Sequence, residues 1–148
     1  MRIVWVGPFK IGDLLADCIS PTAIFPPDFG SAYLVTQHPW RRVPTKASNA
    51  LYVGGNTGKS KRFRTRIGDL LADSFGFFTG MRGHHSGGQS IRKWTLENGV
   101  SPLDLHLAWV KPGECHRCLE VTLVENLKPR LNKHRPAACA SHRNRSRH

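Results

Sequence analysis

Residues 49–75 read NALYVGGNTGKSKRFRTRIGDLLADSF, and the change of apolar spacing inside this run decides the fold class. Asn49-Ala50-Leu51-Tyr52-Val53-Gly54 is rich in residues that favour extended backbone. From Lys61 to about Phe75, by contrast, Phe63, Ile67, Leu70 and Leu71 recur at three- and four-residue spacing, which puts them on one face of a helix. A strand, a polar glycine-containing turn and an amphipathic helix in succession point to an α/β domain.

Outward from this core, Ser31-Ala32-Tyr33-Leu34-Val35-Thr36 is a second β-rich run, expected to lie antiparallel beside the first. The connection between them, Gln37–Ser48, is polar, basic and proline-containing. Leu103–Val110 reads as a third strand, and Cys118 to about Lys128 as a helix carrying Leu119, Leu123 and Leu127, stopped by Pro129. Gly76, Gly80, Gly83, Gly87 and Gly88 mark a loop holding His84 and His85, with a short helix expected near Gln89. The expected fold is thus a small three-stranded antiparallel sheet flanked by helices. Residues 1–30 form a strand-helix extension before it, and residues 133–148 a basic tail after it.

Ile3–Val6 supplies the strand of that extension. The segment IGDLLAD at residues 11–17 recurs letter for letter at 67–73, each time after a strand-like run ending in glycine, so the first copy reads as a degenerate duplicate with a packing role. Asp69 and Asp73, four apart, read as two solvated carboxylates before they read as a cation site.

Twenty-two Lys and Arg against ten Asp and Glu give a formal charge of +12. That excess attracts polyanions, with nucleic acid foremost. No apolar run reaches the roughly 20 residues that span a bilayer, and Met1–Val6 lacks the apolar length of a signal peptide, so no membrane association and a cytoplasmic location are expected. Four cysteines in a reducing compartment read as ligands or thiols before disulfides. Cys115-x-x-Cys118 and Cys139-x-x-His142, twenty residues apart, have the spacing of a structural Zn²⁺ site that would clamp the tail. Unligated thiols are the other reading, and Cys18 is expected to be buried.

Phosphodiester cleavage needs a group to take the proton of the nucleophile, a cation at the scissile phosphate and a fixed positive charge for the transition state. Ala32-Tyr33-Leu34, Leu51-Tyr52-Val53-Gly54, Phe63-Arg64-Thr65-Arg66-Ile67, and the run from Glu120 through Pro129-Arg130-Leu131-Asn132 offer such groups, and together they resemble the GIY-YIG nuclease family from about residue 31 to residue 132. That family includes the incising domain of bacterial nucleotide-excision repair, intron homing endonucleases and several restriction enzymes.

The resemblance implies a DNA endonuclease using Mg²⁺ or Mn²⁺. It assigns Glu120 as the sole protein ligand of that ion, Tyr52 or Tyr33 as the phenol that orients or deprotonates water, an arginine on the scissile phosphate and Asn132 as a positioning residue. The chain departs from the family in three places. Ala-Tyr-Leu stands where Gly-Ile-Tyr is usual, nineteen positions separate the tyrosines where about ten is common, and Leu70 occupies the position of a frequent histidine. His84 is the candidate substitute, with His85 beside it as a DNA contact. Direct counting from Tyr52 selects Arg62 as the arginine, whereas the apolar-x-x-Arg-apolar pattern of Phe63–Ile67 selects Arg66, the preferred choice.

Lys59, Lys61, Arg62 and Arg64 form a basic loop suited to the DNA backbone. Gly54–Ser60 falls short of a nucleotide phosphate-binding loop, since only three residues lie between Gly54 and Gly58. A zinc-stapled, non-catalytic nucleic-acid-binding protein is the alternative from a different class.

Overall fold

The computed structural model describes residues 3–29, 32–55, 61–81, 85–111 and 115–133. In chain order these form β1 (Trp5–Lys10), α1 (Ile11–Ala16), β2 (Ala32–Thr36), β3 (Ala50–Gly55), α2 (Phe63–Ser74), α3 (Ser86–Asn98), β4 (His106–Val110) and α4 (His116–Leu127). The strands make one antiparallel sheet in the order β1-β4-β2-β3.

The sheet therefore has four strands, one more than the sequence suggests. The extra strand is β1, in the segment read as an extension: Trp5 and Val6 pair with Val110 and Trp109. A short apolar run does not reveal which edge it will join, because the partner lies about a hundred residues away. By pairing there, β1 covers the backbone donors and acceptors that β4 would otherwise expose. The ladder is irregular between Val6 and Phe9, where Pro8, which has no N–H to donate, is tolerated at a bulge in an edge strand.

β2 is central and buried along its whole length. Because strand side chains alternate, Tyr33 and Val35 face one cluster and Ala32 and Leu34 another. The first cluster contains Phe63, Ile67 and Leu70 of α2 and Ile91 of α3; the second contains Leu119 and Leu123 of α4. Helices consequently cover both faces of the sheet.

The outer edge of β3 is braced by the chain after α4. Arg130 and Leu131 donate their N–H groups to the carbonyls of Ala50 and Leu51 at 3.1 and 2.8 Å. The Asn132 side chain then imitates a strand residue, accepting from the Val53 N–H at 2.9 Å and donating to the Val53 carbonyl at 2.8 Å.

Several local expectations change on packing. α3 begins at Ser86, with Gly87 and Gly88 inside its first turn instead of in a loop. Glycine disfavours helices intrinsically, yet a Cβ on Gly87 would overlap the Tyr52 ring, and one on Gly88 would lie 2.6 Å from Asp73 Cβ and from the Leu70 carbonyl. Close approach of α3 to β3 and α2 demands both. Asp73, expected to be solvated, is 1% exposed. Its counterpart in the first copy of the repeat, Asp17, is exposed, whereas Ile11 and Ile67 are both core residues. The two copies follow β1 and β3, the opposite edges of the sheet, and each plants an isoleucine in the same core. Cys18 is exposed, not buried, because α1 is too short to carry it under the sheet. Among the described residues no helix is long and apolar enough to cross a membrane.

Candidate active site

The site starts from the register of β2 and β3. Tyr33 stands opposite Gly54, and Tyr52 is opposite Val35. The missing side chain of Gly54 lets the Tyr33 ring lie across β3, since a Cβ there would overlap the Tyr33 hydroxyl and ring. The two tyrosine rings are then 6.2 Å apart, and the phenols influence each other's ionisation. Phe63, at the start of α2, packs on Tyr33 at 6.0 Å between ring centroids.

His85 closes the cluster from the N-terminus of α3. Its Nδ1 caps that helix by accepting the Gly88 N–H at 3.3 Å, which assigns the ring proton to Nε2. Nε2 lies 3.1 Å from the Tyr33 hydroxyl and donates to it. The Tyr33 hydroxyl, accepting there, keeps its own proton to donate beside Tyr52. Burial pushes the His85 pKa down, and the Arg66 charge pushes it further, consistent with a neutral imidazole acting as acceptor and donor at once. Tyr33, 0% exposed, is raised well above the ordinary phenol range by burial and then by Tyr52, so it stays protonated. Tyr52 is half-buried and is the phenol with access to solvent.

Two charges meet this relay. Arg66 comes from α2, and its charge bears on Tyr33, Tyr52, His85 and Glu120 alike. Its Nε is buried without a hydrogen-bond partner among the described residues. Glu120 comes from α4 on the other face of the sheet, yet after burial its charge is the strongest influence raising the Tyr52 pKa. Its own pKa is raised by burial and held back in part by Arg66. The carboxylate makes no hydrogen bond or ion pair with the described residues. A half-buried acid and a buried guanidinium nitrogen, both short of partners and both beside one phenol, leave polar capacity that an intact fold normally satisfies.

Tyr33, Tyr52, Arg66 and Glu120 thus come together, and His85, read as a DNA contact, joins them through Tyr33. Asn132 does not face the cluster; it braces β3 one residue from Tyr52. Arg62 is exposed at the N-cap of α2 and bears on none of these groups.

The basic loop is partly engaged elsewhere. Arg64 donates to the Pro26 carbonyl at 2.7 Å, pairs with Asp28 at 3.5 Å and lies over the Phe25 ring, while Lys61 lies over Phe29. Arg64 is therefore a strut for the 25–29 segment more than a free DNA contact. Lys59, His84, Cys139 and His142 lie outside the described residues. Cys115 is exposed at the N-cap of α4 and Cys118 is partly exposed one turn on. Gly54 and Gly87 were not singled out as site residues in the sequence, and no local signal marks them, because what each accommodates is a tyrosine from a different segment.

Gly54→Ala tests the register directly. The methyl group displaces Tyr33, so we expect loss of the Tyr33–His85 bond together with a destabilisation of about 1–3 kcal/mol, the usual range for overpacking a core. Thermal melting and the His85 imidazole NMR signal report the two effects; an unchanged His85 signal would show that Tyr33 does not depend on this gap. Comparison with protein-family models, curated proteins and solved structures yields no match, so the functional reading rests on this chain's own geometry.

Proposed function

We propose that this protein is a divalent-metal-dependent endonuclease that hydrolyses DNA phosphodiester bonds. The observation that carries this reading is that the Glu120 carboxylate and the Arg66 Nε, neither with a hydrogen-bond partner among the described residues, both bear on Tyr52. A cation and a phosphate are the two groups that would complete them. No cluster of three or more metal-ligating side chains forms among the described residues, so Glu120 would hold Mg²⁺ or Mn²⁺ as a lone carboxylate, with water and substrate oxygens in the other positions. Bound there, the ion would neutralise charge on the phosphate and acidify a water molecule.

The chain's own residues supply the rest. Arg66 offers planar N–H groups to the non-bridging oxygens of the scissile phosphate, favouring the more highly charged transition state. Tyr52, a neutral phenol, orients the attacking water and relays its proton: the phenol oxygen takes the water proton as the phenol's own proton passes to solvent, and the leaving oxygen takes a proton from solvent. Tyr33 and His85, joined by their own hydrogen bond, pack against the Tyr52 ring and hold it in place. Water breaks the phosphorus–oxygen bond, and the products are a phosphate monoester and a free hydroxyl. The formal charge of +12 supports an anionic substrate.

Supercoiled plasmid incubated with the full-length protein tests the reading. Open-circular and linear forms are expected with Mg²⁺ or Mn²⁺ and not with chelator. Intact plasmid under all of these conditions would leave the non-catalytic nucleic-acid-binding alternative in its place.

A further inference from the structure

At the start of β3, two residues along the strand from Tyr52, lies a cavity of about 410 Å³. Lys46, Lys128 and Arg130 line it together with Thr45, Asn49 and Asn126, and no acidic side chain does. None of the three cations makes an ion pair among the described residues. Arg130 is nevertheless fixed: its Nε donates to Asn49 Oδ1 at 2.7 Å, and Asn49 Nδ2 donates to Gln37 Oε1 at 2.7 Å. A guanidinium held by a neutral amide keeps its full charge and its remaining N–H groups for a ligand.

The backbone around the cavity is also set. Lys46 opens a 3-10 turn, Lys46–Ser48, closed by a reciprocal Thr45–Ser48 capping box. Asn49 and Lys128 both have positive φ, 51° and 47°, on the cavity's two sides. Lysine rarely adopts that conformation. The same segment that carries Arg130 continues through Leu131 and Asn132 as the brace of β3, so the cavity is tied by hydrogen bonds to the strand that carries Tyr52.

We infer that this cavity is a second phosphate-binding site, which grips the nucleic-acid strand flanking the scissile bond and sets its register on Tyr52. The inference rests on the nuclease reading and adds a substrate contact to it. Two residues of strand span about 7 Å, and each strand of a duplex carries one charge per 3.4 Å of axis. The cavity therefore lies about two phosphate spacings along β3 from Tyr52, on the sheet face that packs against α4, the helix carrying Glu120. None of its cations belongs to the basic loop at 59–64, so the cavity adds a backbone contact at the braced edge of β3.

The test compares wild type, the double variant Lys46→Gln/Lys128→Gln and a control of equal charge, Lys10→Gln/Lys93→Gln, whose lysines pair with Asp104 and Glu97 elsewhere on the surface. All four side chains are exposed, so the fold should survive, as circular dichroism would check. Binding of a labelled DNA duplex is followed by anisotropy without divalent ions over a range of salt.

The expected result is roughly tenfold weaker binding of the cavity variant, with a salt slope about 0.9 smaller for each phosphate that is no longer neutralised. The control should stay near wild type, both in binding and in single-turnover cleavage at saturating protein. Equal weakening of both variants would show general charge attraction and overturn the site. A cavity variant that binds like wild type would do the same. Inorganic phosphate serves as a probe in a lysine-acetylation footprint: protection of Lys46 and Lys128 by phosphate but not by duplex would overturn the strand assignment in favour of a free anion. Wild type that binds with the steep slope yet never cuts would remove the nuclease reading alone, whereas cutting with no effect of the cavity variant would remove this site alone.

Discussion

Replacing Glu120 with Gln is expected to abolish metal-dependent cleavage while leaving duplex binding intact. Glutamine keeps the size of the side chain and removes the charge that would anchor the cation, so turnover should fall by about two to three orders of magnitude or more, the scale seen when one preorganised charge-stabilising group is removed. Plasmid nicking at millimolar-scale Mg²⁺ reads this, and full activity of the variant would sink the assignment.

The same substitution should affect stability in the opposite sense. Burial raises the Glu120 pKa, with Arg66 offsetting part of the rise. The native state therefore favours the protonated acid. That contribution to stability is complete below the ordinary carboxylate range and is lost as pH climbs through the raised pKa. Glu120→Gln should thus melt above wild type at neutral pH, and the gap should close in acid. A lower melting temperature at neutral pH would mean that the carboxylate holds the fold together, contrary to its lack of partners.

Arg66→Ala should lower single-turnover cleavage by roughly two to three orders of magnitude, because its charge bears on both tyrosines and its buried Nε has no acceptor among the described residues. Arg66→Lys should recover only part of this, since an ammonium preserves charge but not the planar fork. Arg62→Ala, four positions earlier and exposed, should leave the chemical step alone, weaken duplex binding and reduce its salt slope by about 0.9. The reverse pattern would move the catalytic arginine to Arg62, where direct counting from Tyr52 places it. Measuring cleavage at saturating protein keeps binding and chemistry apart in both variants.

Much of the scaffold was legible along the chain. The β-rich runs around Tyr33 and Tyr52, the helical spacing of Phe63, Ile67 and Leu70, and the helix carrying Glu120 all appear within a residue or two of where the structure has them. The third strand was placed less well, because Pro102–Asp104 forms a 3-10 turn before β4 starts at His106. Arg66 was favoured over Arg62 through its apolar neighbours, and the structure brings Arg66, not Arg62, beside the tyrosines.

Sequence by itself determined the alternation of strand and helix, the charge of the surface, and the residue types that would line a phosphoryl-transfer site. These are short-range properties, written in period and composition. Packing of distant segments is what makes β1 complete the sheet, lets Gly54 and Gly87 make room for two tyrosines, and brings His85 to the Tyr33 hydroxyl. Packing also turns Arg64 toward Asp28, buries Asp73, and makes Asn132 a brace for β3 beside a cavity lined by Lys46, Lys128 and Arg130. Each of these depends on which distant backbone groups and side chains lie opposite, and an encounter between segments fifty or a hundred residues apart leaves no mark in the local pattern of either.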